Sequence, residues 1–137
     1  MQLNKEEALR WLEQAEHNFE VAKNNLSSTF YSDACFMAEQ TSQVALKALI
    51  IFYKKRNVWE HSIQELVRIS SEYDKRFEDL VEAGKILDRY YIPTRYPDAL
   101  ATPAVPYKTY SERDAREAVA LTESILQLAK EVIRREK

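Results

Sequence analysis

Residues 32–54 read Ser32-Asp33-Ala34-Cys35-Phe36-Met37-Ala38-Glu39-Gln40-Thr41-Ser42-Gln43-Val44-Ala45-Leu46-Lys47-Ala48-Leu49-Ile50-Ile51-Phe52-Tyr53-Lys54. Apolar side chains from Ala34 to Phe52 wrap most of a helical circumference. A helix apolar nearly all round has to be covered on several sides. This segment is therefore predicted to be the central helix, starting near Ser32 or Asp33 and running to about Lys54. One polar stripe interrupts it: Glu39, Gln40, Gln43 and Lys47.

The flanking segments supply the cover. Ala8, Trp11, Leu12, Ala15, Phe19, Ala22 and Leu26 recur at spacings of three and four, a one-sided amphipathic helix. Asn4 is read as its cap. After the central helix, Lys54 to Trp59 reads as a connector. Ser62-Ile63-Gln64-Glu65 then matches a capping box and opens a short helix with Ile63, Leu66 and Val67. A further helix is predicted from about Asp74, carrying Phe77, Leu80, Val81, Leu87 and Tyr91 on one face. Residues 92–110 are predicted to be loop. Ser111 and Asp114 form a second, variant box. The last helix presents Ala115, Ala118, Val119, Thr122, Ile125, Leu126, Ala129, Val132 and Ile133.

These patterns predict an all-α, up-and-down helical bundle of about five helices. Residue usage agrees: Gly84 is the sole glycine, and Pro93, Pro97, Pro103 and Pro106 all fall in one window. Sheets with tight hairpins depend on Gly and Asn-Gly turns, which are missing. The broad apolar faces lead us to expect a dimer. A chain of 137 residues has the size of one domain.

Composition also bounds function. A lone glycine removes every glycine-rich phosphate loop. Two histidines, His17 and His61, and a single cysteine, Cys35, make a zinc or di-iron site an unfavourable reading, so no metal or cofactor is expected. One cysteine and no evident secretory leader lead us to expect a reducing cytoplasm. The longest apolar run, Ala48 to Tyr53, is far below the roughly 18 residues of a membrane helix. A net charge of −2 argues against nucleic-acid binding through bulk positive charge.

The stretch Tyr90-Tyr91-Ile92-Pro93-Thr94-Arg95-Tyr96-Pro97-Asp98 sets one arginine between two prolines and beside tyrosines. Proline fixes φ and biases the residue before it towards extended geometry, so this frame is stiff. A stiff frame presenting a guanidinium and aromatic rings is a candidate site.

The chain resembles the HEPN family of small all-helical domains linked to nucleotide binding. Four pieces carry the resemblance. They are Trp11 to Glu16 with Phe19 and Ala22; Ala34 to Gln40 continuing through Ala45 to Leu49; His61 ahead of Leu66; and Leu87 to Asp98 with Tyr110 and Asp114-Ala115 behind it. The resemblance implies a helical bundle, usually dimeric, often partnered by a small nucleotidyltransferase. Some branches of that family are metal-independent RNases that use an Arg and a His four to six residues apart on a helix. Met37 and Gln43 stand where the branch this chain resembles commonly has His and Glu.

Candidate residues follow. Arg95 either binds phosphate with its planar fork or pins the loop through Asp98 or Asp88. Tyr91 and Tyr96 either stack on a base or pack the loop onto the bundle. Lys47, on a mostly buried helix, needs a partner, which is a ligand phosphate or Asp88. Gln40 and Gln43 are expected to hydrogen-bond across helices. Arg56 and His61 fit the Arg-x4-His spacing, in a connector rather than on a later helix. His17 is expected to be solvated, Cys35 buried and inert, and Trp11 core or dimer interface. The leading expectation is a non-catalytic module that dimerises and binds a nucleotide or phosphate-bearing ligand. The rivals are a metal-independent endoribonuclease of toxin–antitoxin type, with Arg56 and His61 catalytic, and a purely structural interaction protein.

Overall fold

A computed structural model describes residues 2–54, 58–91 and 96–135. The described residues form a bundle of six α-helices: α1 (Gln2–Ser27), α2 (Tyr31–Lys54), α3 (Ile63–Ser71), α4 (Val81–Leu87), α5 (Pro106–Thr109) and α6 (Glu112–Arg135). Short 3-10 turns occupy Lys75–Leu80, Asp88–Tyr90 and Pro97–Ala99. Among the described residues there is no strand.

The central helix is α2, which touches every other helix of the bundle. Its Ala34, Cys35, Ala38, Ala45, Leu46, Ala48, Leu49 and Ile50 are wholly excluded from solvent. On α6, the buried set is the nine residues predicted from spacing, Ala115 to Ile133. Thr122, the one polar member of that set, meets Ser42 of α2 through a buried hydroxyl pair at 2.6 Å. That bond satisfies two groups that would otherwise be costly to bury. On α1, Ala8, Leu12, Ala15, Phe19 and Ala22 are buried, while Trp11 and Leu26 are half-covered.

Several expectations are corrected. Asn4 lies inside α1 rather than capping it; its side chain is buried and donates to the Phe52 carbonyl near the end of α2, at 3.2 Å. The helix expected from Asp74 is broken. Asp74 does cap, accepting from the Arg76 amide, but the chain runs through a 3-10 turn before α4 and another after it. The window 92–110 is not all loop. Pro97 and Pro106 each open a helical turn, at the first position, where the missing N–H costs nothing. The box at Ser111 forms as read, each residue's amide bonding the other's side chain at 3.0–3.1 Å.

The capping box at Ser62 forms only in part. Ser62 Oγ accepts from the Glu65 amide, but Glu65 turns outward to Arg68. The free N–H groups at the start of α3 go instead to Asp88, 24 to 26 residues away. Its carboxylate accepts from the Ile63 amide at 2.5 Å, the Gln64 amide at 3.2 Å and Ser62 Oγ at 2.8 Å. A carboxylate suits the positive end of a helix, and bonds of this charge-assisted kind contribute on the order of 1.5–3 kcal/mol. Asp88 thus ties α3 to the end of α4.

Candidate functional site

The polar stripe of α2 faces the connector before α3. Its innermost member is Glu39, with no exposed surface. Both carboxylate oxygens are held from its own helix. Gln40 Nε2 donates to Oε1 at 2.8 Å and Gln43 Nε2 donates to Oε2 at 2.5 Å. Burial pushes the Glu39 carboxyl up to about 7, and the charge of Asp88 adds to that. The two glutamine bonds and Lys47 act in the opposite direction without cancelling it.

The far end of Gln43 reaches across to another element. Its Oε1 lies 3.2 Å from His61 Nδ1. The expected cross-helix bonding is found for neither glutamine among the described residues: Gln43 reaches His61 in the connector before α3, and Gln40 bonds Glu39 within α2. His61 is exposed, and its ring stacks on Tyr91, with centroids 5.9 Å apart and planes 18° apart. Glu60 fixes the backbone here, accepting from the amides of His61 and Ser62 at 3.1 and 3.0 Å. Tyr91 retains one-third of its surface in solvent.

One helical turn beyond Gln43, Lys47 is 9% exposed. Burial lowers its pKa, and the carboxylates of Glu39 and Glu60 oppose that shift. Among the described residues, no carboxylate lies within ion-pair distance of its Nζ. The expected pairing of Lys47 with Asp88 is not formed, because Asp88 is committed to the start of α3.

Of the residues proposed from sequence, the structure gathers Lys47, His61 and Tyr91 around Gln43 and Glu39. Asp88 lies behind them as a cap. Tyr96 is 59% exposed and leads into the Pro97 turn, with no ring partner among the described residues. Arg95 and Arg56 lie outside the described residues. Tyr90, beside Tyr91, is a packing residue: it is buried and meets the Tyr110 ring edge-on at 5.6 Å. Cys35 is buried in the core, with its thiol pushed up to about 12 by burial first and by Asp114 and Glu117 second. That holds it as the inert thiol. His17 is exposed.

Glu39 was not singled out from sequence as a site residue. The available signal was a carboxylate on an otherwise apolar helix, with amides one and four residues on and a lysine eight residues on. Among the described residues, no cluster of His, Cys, Asp and Glu has the arrangement to hold a metal ion. No described helix is long and apolar enough to cross a membrane.

The arrangement offers three things to a ligand: a lysine largely buried along its length, an imidazole held at one nitrogen, and an aromatic face. Together they suit an anionic group attached to a flat ring.

Comparison with known proteins places this geometry in a family. A crystal structure of the Thermus thermophilus protein TT1696 superposes with a TM-score of 0.83 at 44% identity, over 91% of this chain and 97% of that one. Human sacsin is 29% identical over 126 residues, 90% of this chain, which spans only 3% of sacsin's length. The Methanocaldococcus jannaschii protein named "Putative toxin MJ1304" is 24% identical over 132 residues, covering 90% of this chain and 86% of that protein. The profile of the HEPN domain matches residues 8–132, and the chain belongs to the HEPN domain family.

Proposed function

We propose that this HEPN module binds a nucleotide or similar phosphate-bearing ligand on the polar face of α2. Lys47 contacts the phosphate, and Tyr91 stacks on the base. The observation that carries this reading is Lys47. Lys47 is largely buried as a residue and has no ion-pair partner among the described residues, so its charge is partly desolvated, and a ligand phosphate would offset that cost. Tyr91 supports it, because a partly exposed ring already stacked on an imidazole is a platform for a base. Arg95 is proposed as a second anion contact on the strength of its Pro93-to-Pro97 frame. The same proposal includes self-association and a nucleotidyltransferase partner. Support for self-association is a cleft of about 420 Å³ where half-covered Trp11 and Val44 lie with Glu7, Arg10 and Gln14.

Calorimetry with nucleoside triphosphates tests the site. Lys47→Gln, Arg95→Ala and Tyr91→Ala should each weaken binding about tenfold, since 1.4 kcal/mol is one decade. Arg95→Lys should recover only part of the loss, because it gives up the bidentate fork. Unchanged affinity in all three truncations, with the fold intact, removes the assignment.

A second reading, metal-independent RNA cleavage, is favoured by one observation. Gln43 holds His61 at Nδ1, and among the described residues Nε2 has no hydrogen-bond partner and can serve a proton transfer. The toxin name of the archaeal relative points the same way. Our leading reading expects no cleavage of single-stranded RNA in chelator. Cleavage abolished by both His61→Ala and Arg56→Ala reverses the ranking.

A further inference from the structure

We infer that Glu39 is a positioning residue that, through the Gln43 amide, sets which nitrogen of His61 carries the proton. The inference deepens the proposed binding site and rests on that reading only for its functional consequence.

The geometry forces a chain of donors and acceptors. Above about 7 the Glu39 carboxyl is ionised, and an ionised carboxylate only accepts hydrogen bonds. Glu39 therefore takes the NH2 end of Gln43, at 2.5 Å, and the Gln43 carbonyl is turned to His61 Nδ1, at 3.2 Å. A carbonyl has only lone pairs to offer, so Nδ1 must be the N–H. A neutral imidazole has one N–H, and its Nε2 is then a bare acceptor. The relay cannot relax by rotating Glu39, because Gln40 holds the other oxygen at 2.8 Å. A ring flip of His61 would leave the Gln43 carbonyl facing carbon while keeping the Tyr91 stack, so it loses a bond and gains none.

A buried, doubly hydrogen-bonded carboxylate with no ion pair among the described residues is also a poor way to fill a core. An apolar residue of similar volume is often as stable or more so. Glu39 therefore contributes direction rather than stability. It orders an amide that would otherwise sit equally well either way round. For the ligand, the consequence is that His61 meets it with an acceptor when neutral, taking a hydrogen bond from a hydroxyl. When protonated, it meets the ligand with a donor, suited to a phosphate oxygen.

Nitrogen-detected NMR of the imidazole rings in the full chain tests this. His17→Gln removes the only other histidine. At a pH well above 7, where Glu39 is ionised and the ring is neutral, His61 should show a protonated Nδ1 and an unprotonated Nε2. Glu39→Gln should give a mixture, because an amide at 39 can either donate to Gln43 or accept from it. Gln43→Leu should release the ring altogether and change the tautomer ratio with Glu39 still present. A wild-type ring protonated at Nε2 overturns the inference, as does a Gln43→Leu ring that keeps the wild-type ratio. A folded Glu39→Gln variant with an unchanged tautomer does the same. Calorimetry on the same samples separates the two proposals. The Nδ1–H form without nucleotide binding sinks the binding site and leaves the relay. Nucleotide binding with a mixed tautomer sinks the relay and leaves the site.

Discussion

Gly84→Ala is expected to destabilise the bundle by about 2 kcal/mol or more, and Gly84→Val by more than about 3 kcal/mol. Helix propensity alone predicts the opposite sign for alanine. Gly84 lies inside α4, where alanine is favoured over glycine by about 1 kcal/mol. Packing decides against it. A Cβ at this position would lie 2.9 Å from both the Cα and the backbone nitrogen of Gln64, and 3.1 Å from the Ile63 carbonyl carbon. These are backbone atoms of α3, with no flexible end to swing aside. To admit the methyl, α4 must move away from α3. The same pair of helices is tied by the Asp88 carboxylate to the Ile63 and Gln64 amides, so that movement also strains the cap. Urea denaturation of the two variants reads the loss as a lower midpoint. A midpoint for Gly84→Ala at or above wild type would mean that α4 shifts without cost.

Gly84 shows what kind of information a sequence carries here. Its scarcity ruled out phosphate loops and hairpins, and both exclusions concern local chain geometry. Its actual role is a close approach between two helices, which depends on partners distant in sequence. The same division runs through the fold. On α6, period and polarity alone name all nine buried residues, because one helix face meets one core. The Ser111–Asp114 box is local and forms as read. The Ser62–Glu65 box has an equally good local pattern and is half displaced, because Asp88 arrives from another element with a stronger acceptor. Asn4 has the chemistry of a cap but lies within reach of the Phe52 carbonyl, and the tertiary bond prevails.

The site divides likewise. Lys47 and the stripe around it are legible because a charge on an apolar helix is conspicuous. The choice of partner is not: Lys47 and Asp88 are complementary on paper, yet Asp88 is committed to three donors at α3. Tyr91 and His61 are candidates for separate functions in the sequence, and the structure stacks their rings at 5.9 Å. Glu39 could be placed on the stripe but not ranked. Its weight comes from complete burial, which only the packed bundle reveals.

That burial sets the second large effect, a stability that falls with pH. The Glu39 carboxyl is held up to about 7 in the fold, against an ordinary value of 4.5. Below the ordinary value, the group is protonated in both folded and unfolded chains and contributes no pH dependence. Between the two values, the folded protein keeps a proton that the unfolded chain has released, so stability declines as pH rises. Above about 7 the carboxylate is ionised in both states and the penalty levels off. At about 1.4 kcal/mol per pH unit, the accumulated cost is roughly 3 kcal/mol. Glu39→Gln cannot ionise and escapes it. The stability of Glu39→Gln relative to wild type should therefore grow by roughly 3 kcal/mol between pH 4.5 and pH 8, whatever its offset at the acid end. Taking the difference cancels the titration of other groups. The pulls of Lys47 and Asp88 on Glu39 are already contained in its value of about 7. Urea unfolding of both proteins at several pH values measures that difference directly. A difference that stays flat across this range would mean that Glu39 ionises without cost, and that Gln40 and Gln43 solvate it as well as water does.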